Sequence, residues 1–160
     1  MSEELNFRLP RWNELPELEL YLEQVVAVLK EYLEPFYIDK DEKIITKTMI
    51  NNYVKFGVIK PPINKKYNKS HIAYLIVVCL VKKLYSIQDI KALIRLALGV
   101  SRIESSYDMF CTMLEKHIEC TFANIAYIDE EELGRGRRLV KNVAGSLASK
   151  LYVEKNFLNK

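Results

Sequence analysis

The stretch TKTMINNYVKFGVIKPPINKKY, residues 46–67, combines a helix signal, a sharp stop and uninterrupted positive charge. Met49, Tyr53 and Phe56 fall at i, i+4 and i+7, and Ile50 and Val54 widen the same stripe. Lys47, Thr48, Asn51, Asn52 and Lys55 are left on the other surface. A Thr oxygen, from Thr46 or Thr48, can accept a free first-turn N–H, while Gly57 followed by Pro61 and Pro62 closes the far end. The spacing predicts a short helix over 46–56 with one packing face and one hydrogen-bonding face.

That second face has the chemistry of a nucleic-acid reader. An Asn amide can donate to and accept from adenine in the major groove, and a Lys can reach guanine acceptors or phosphate. Residues 43–88 hold nine Lys, no Arg and no acid, for a net charge of +9. Residues 1–42 are net −7 and residues 89–160 net +1, so the overall +3 hides a concentrated patch. Such a patch suits a polyanion, because each neutralised phosphate releases condensed counterions. Without Arg, bidentate guanine readout is disfavoured, and Asn51 and Asn52 become the specificity candidates. The competing reading of such a face is simple solvation.

Tyr53, Lys55, Gly57, Val58, Ile59, Lys60 and Pro61, then Lys66-Tyr67, Ile72, Leu75 and the Ser86 to Lys91 segment, resemble the DNA-binding half of MerR-type winged-helix regulators. The resemblance implies a recognition helix, a wing containing Tyr67, a following helix, and a second helix opened by Ser86 and Asp89. Asn51 and Asn52 stand where that pattern has Arg and an aromatic residue, so base preference does not carry over. The wing, Pro61 to Lys66, is short, Asn68 replaces the usual Arg, and the loop from Glu34 to Ile45 exceeds an ordinary helix-turn-helix turn. The whole chain, with Leu9-Pro10-Arg11-Trp12 and Leu20-Tyr21-Leu22-Glu23-Gln24, is similar to an uncharacterised family of small bacterial proteins carrying this half.

Outward from the centre, 160 residues with 49% hydrophobic content suffice for a packed core. Cys79, Cys111 and Cys120 include no close pair, which argues against a disulfide framework or zinc knuckle and for a reducing cytoplasm. The longest apolar run, Ile72 to Val81, is ten residues, about half a membrane span, and no secretory segment is readable; no membrane partner is expected.

Before the centre, Pro10, Trp12 and Pro16 predict an extended lead-in. Leu18, Leu22, Val25, Val28, Leu29, Tyr32 and Leu33 then predict an amphipathic helix over 18–33. Its acids, Glu19, Glu23, Glu31 and Glu34, read as a solvated face rather than an acid–base pair. After the centre, residues 69–84 read as a buried helix, although Ile76-Val77-Val78 also permits a strand. His71 near its start reads as a partly exposed structural residue. A helix from Ser86 to Leu98, stopped by Gly99, follows. Ser105 and Asp108 are expected to cap a helix with the stripe Tyr107, Phe110, Met113, Leu114 and Ile118. Asp129 and Glu132 are expected to cap another with Leu139, Val143, Leu147 and Leu151. His117 and Cys120, with Cys111, are a weak metal or thiol-sensor constellation. Gly134-Arg135-Gly136-Arg137-Arg138 lacks the Walker residues and reads as a basic helical turn.

The expected fold is all-α: a MerR-like winged helix-turn-helix half over residues 1–98 with a short wing, then a helical dimerisation or effector part over 99–160. The expected function is transcriptional regulation as a homodimer on double-stranded DNA. Lys47, Thr48, Asn51, Asn52 and Lys55 would face bases or backbone, and Tyr53, Lys60, Lys65, Lys66 and Tyr67 would position phosphates. The runner-up is an interaction adaptor that turns its basic face to an acidic protein. No catalytic triad, metal set or cofactor motif is readable, so an enzyme is not expected, and any small-molecule effector is left unspecified.

Overall fold

The computed structural model describes residues 6–98, 102–129, 131–158 and 160. Among these, six helices and a two-stranded sheet share one continuous hydrophobic core. In chain order they are β1 (Leu20–Tyr21), α1 (Leu22–Leu33), α2 (Lys47–Lys55), β2 (Lys66–Tyr67), α3 (Lys69–Val81), α4 (Ile87–Leu98), α5 (Ile103–Phe122) and α6 (Arg135–Asn156). Single 3-10 turns lie at Trp12–Glu14 and Glu34–Phe36.

The centre of the molecule is α3. Nine of its thirteen residues are buried, so the β-branched run is helical, with Ser70, Tyr74 and Val77 partly buried along one strip and the other apolar residues covered. The helix starts where Asn68 Oδ1 accepts the His71 N–H at 3.1 Å and stops where Lys82 and Lys83 begin. Helices α1, α5 and α6 all pack on it. Tyr37 Oη donates to the Cys79 carbonyl at 2.5 Å and fastens the loop between α1 and α2 to the same helix.

The helix expected from Leu18 begins instead at Leu22. Leu18 is 81% exposed, and Leu20 and Tyr21 pair antiparallel with Tyr67 and Lys66. Gln24 Oε1 accepts the Tyr21 N–H at 2.9 Å, which marks the switch from strand to helix. The apolar spacing of Leu18 matched the helix, but strand pairing with a distant segment decided the boundary. The expected stop at Gly99 lies outside the described residues.

The last two helices run parallel. Met109 meets Arg137, His117 meets Gly145, and Phe122 meets Tyr152, so partners advance together along both helices. A parallel pair needs a connection that returns the length of α5, roughly 30 Å for twenty residues at about 1.5 Å each. Beyond the turn at Ala123 and Asn124, the described residues 125–129 and 131–134 lie on this return and belong to no helix or strand. This strap is pinned by Tyr127, which stacks on His117 at 4.0 Å and 11°, and by the Asp129–Lys141 ion pair. Asp129 and Glu132 therefore do not cap α6, which begins after Gly134, and the Arg135 to Arg138 turn opens the helix.

Asp108 is likewise not a cap. Helix α5 begins after Arg102, and Asp108 Oδ1 takes the Trp12 N–H at 2.8 Å. The whole lead-in is bound to α5 this way. Glu115 accepts the Leu9 N–H at 3.0 Å and two Arg11 guanidinium bonds at 2.5 and 3.1 Å, and Tyr107 Oη donates to the Pro10 carbonyl at 2.6 Å. Replacing Tyr107 by Phe leaves that buried carbonyl with only the weak Cys111 thiol donor at 3.9 Å and is expected to lower stability by about 1–2 kcal/mol in urea denaturation.

Burial and the neighbouring Lys141 hold the His117 pKa below its ordinary value of 6.5. The fold therefore favours the neutral ring, and its contribution is complete above pH 6.5 and lost as pH falls through the lower folded value. Thermal melts from pH 7.5 to 4.5 are expected to fall more steeply for the wild-type protein than for His117→Gln.

Candidate nucleic-acid interface

Thr46 Oγ1 accepts the Met49 N–H at 3.1 Å and starts α2, which buries Ile50 and Tyr53. That anchoring turns Lys47, Thr48, Asn51, Asn52 and Lys55 outward, and all five are exposed. Phe56, placed on the packing stripe by spacing, is 54% exposed because it lies at the C-cap, where the helical period ends. Gly57 follows at φ +73°, a left-handed close that a side chain resists. Lys91 Nζ of α4 donates to the Phe56 carbonyl at 3.1 Å and so satisfies an orphan acceptor at the end of α2.

The segment expected to form the wing, termed the wing turn for its place in the chain alone, is a tight turn rather than a full hairpin. Ile63 and Lys66 exchange backbone hydrogen bonds at 3.0 Å, and between them Asn64 and Lys65 both have positive φ, 51° and 62°. This is the backbone of a type I′ turn. Lys66 also joins β1, so the turn is carried on the small sheet. The other side is held by His71, which is only 5% exposed. Its Nδ1 accepts the Asn68 N–H at 3.0 Å, so Nε2 carries the proton and donates to the Pro61 carbonyl at 3.2 Å. His71 is thus a buried wing anchor, not the partly exposed residue expected.

Of the nine lysines in residues 43–88, three face away from this surface. Lys69 binds Glu17 at 2.5 Å and lies over Trp12, Lys82 donates to the Lys43 carbonyl, and Lys83 binds Glu42 at 2.9 Å over the Tyr37 ring. Lys47 pairs with Glu23 at 3.1 Å, both largely exposed, so the pair is screened by solvent and open to exchange. Lys66 lies 5.5 Å from the Tyr21 ring centroid. Lys55, Lys60 and Lys65 are exposed and form no ion pair among the described residues.

Two expected contact residues are core residues. Tyr53 and Tyr67 are 8% and 3% exposed, and burial pushes the Tyr53 phenol up to about 12. Tyr53 meets the core because its position continues the Ile50 face, and Tyr67 because β2 turns it inward beside His71. The rings of both residues are therefore packed in the core. Cys79, Cys111 and Cys120 are buried free thiols, and among the described residues no group of three His, Cys, Asp or Glu could hold a metal. No helix among them is long and apolar enough to cross a membrane.

These features describe a mainly helical protein with an exposed polar helix beside a basic turn. Residues 10–110 match the model of a family described as "Domain of unknown function (DUF1836)", and the chain belongs to that family. The match runs from the Pro10 lead-in through α4 and into α5, so it includes both sides of the Trp12–Asp108 contact. Comparison with curated proteins and with solved structures gave no match.

Positive φ makes the wing turn sensitive in a signed way. Lys65→Gly is expected to raise stability by up to about 1 kcal/mol, and Gly57→Ala to lower it by about 1 kcal/mol or more, because the added Cβ also meets Lys91 Nζ at 3.1 Å. Chemical denaturation of both variants checks the pair of signs.

Proposed function

We propose that the protein is a transcriptional regulator that lays α2 in the major groove of double-stranded DNA and sets the wing turn on the phosphate backbone. The observation that carries this reading is the outer face of α2: Lys47, Thr48, Asn51, Asn52 and Lys55 are all exposed, and no acid belongs to the helix. Asn51 and Asn52 would read base edges, with Lys47, Thr48 and Lys55 reaching bases or backbone. Lys60, Lys65 and Lys66 would meet phosphates. Lys66 would leave Tyr21 to do so, and Lys47 would exchange Glu23 for phosphate, so Glu23 acts against non-specific binding. The activity is recognition without bond-making.

Two copies related by a two-fold axis would present two α2 helices to half-sites about one DNA turn apart. Val153, Phe157 and Leu158, exposed at the end of α6, are a surface available for that pairing. Light scattering at micromolar concentration is expected to give twice the 18.7 kDa chain mass, and a monomer would remove the two-fold arrangement.

Selection from a random duplex pool at about 150 mM salt is expected to enrich an inverted repeat. On that sequence, Asn51→Ala or Asn52→Ala should weaken binding by about 1–3 kcal/mol and relax base choice. Lys65→Ala should weaken all sequences alike and lower the salt slope by about one unit. Failure to enrich any sequence would end this reading.

A further inference from the structure

A groove of about 890 Å³ lies beside the α2 face, between the wing segment on one side and α4 on the other. Its walls combine two chemistries. Ile63, Tyr74 and Ile94 supply apolar surface, while Lys60 on the wing side and Lys91 and Arg95 on the helix side supply cations. No acidic residue lines it, and none of the three cations meets a carboxylate among the described residues. Lys91 and Arg95 stand one helical turn apart on an exposed face, about 6 Å between their Cβ atoms.

We propose that this groove docks an acidic, apolar-anchored peptide segment of a partner protein. The charge pattern decides among anionic occupants. A DNA backbone would satisfy the cations but offers only sugar edges to the Ile63, Tyr74 and Ile94 surface. A small molecule with one anionic group would engage one wall and leave the other charged and unpaired. A peptide with carboxylates about one turn apart and an apolar residue between them meets both requirements, in the manner of acidic segments laid into basic-rimmed apolar grooves. The docking would also touch the segment that follows Gly57, so a bound partner would sit against the α2 C-cap and the wing at once.

The test is selection of the full-length protein against a random twelve-residue peptide display library, followed by fluorescence anisotropy with the enriched peptides as labelled probes. Arg95→Glu is the first variant, since Arg95 is exposed and without an ion pair among the described residues. Lys91→Glu is the second. The expected result is enriched sequences with two or more acids interleaved with apolar residues, bound at least about tenfold more weakly by Arg95→Glu. Loss of binding on replacing either the acids or the apolar residues of the probe supports the proposal. No enrichment, peptides without acids, or equal affinity for the Arg95→Glu protein would overturn it. Reduced duplex binding by Arg95→Glu with no peptide enrichment would assign the groove to the nucleic-acid face instead. The peptide readout contains no DNA, so its failure and that of the proposed regulator activity are separable.

Discussion

A helix with no polar face has to be covered all the way round, and that requirement on α3 governs the rest of the chain. Ile72, Leu75, Ile76, Cys79 and Leu80 share one side and are each no more than 1% exposed, yet Val78 and Val81, on the opposite side, are also no more than 3% exposed. One layer of helices cannot cover them. The head supplies α1 and β2, the tail supplies α5 and α6, and the two portions become faces of a single core. Leaving one side of α3 open would expose several large aliphatic residues at about 1.5–3 kcal/mol each, a large share of the net stability of any domain this size.

The polar work is done at the margins of that core. Glu115 and Asp108 bind a lead-in whose backbone would otherwise bury unpaired N–H groups, and Tyr37 and Tyr107 close two buried carbonyls. His71 and Lys91 act the same way around the exposed helix, one holding the wing and the other capping the helix end. The candidate surface is therefore positioned by groups outside it. The N-terminal acids share this role: Glu17 and Glu42 draw Lys69 and Lys83 away from the outer face, which leaves the remaining cations grouped around α2 and the wing.

Residues whose structural role is local were readable in the sequence. Thr46, Gly57 and the polar residues of α2 obey capping and periodicity rules acting within a few positions, and the structure places them as those rules predict. Where a partner lies far along the chain, local pattern misled. Leu18 looked helical, but β1 answers to Tyr67, and Asp108 looked like a cap, but it answers to Trp12. Tyr53 and Tyr67 show the same limit in reverse, since a phenol suits core and interface equally and only the assembled packing separates the two. The parallel course of α5 and α6 had no sequence signal, because the strap between them carries no turn motif to set a direction. The groove cations Lys91 and Arg95 belonged to an ordinary amphipathic helix until the wing was folded beside them.

The Trp12–Asp108 contact spans 96 residues, and this has a consequence at the ribosome. At about 5–20 residues per second, roughly 5–20 s separate the emergence of the lead-in from that of its binding site. Only at the end of that interval are α1 to α4 all synthesised, and the helices that cover the far side of α3 are then still lacking. An apolar flank that the finished fold covers is then presented to solvent, as a surface open to chaperones. The α2 surface thus exists before the fold that steadies it, and the exposure ends only when α5 and α6 have both arrived.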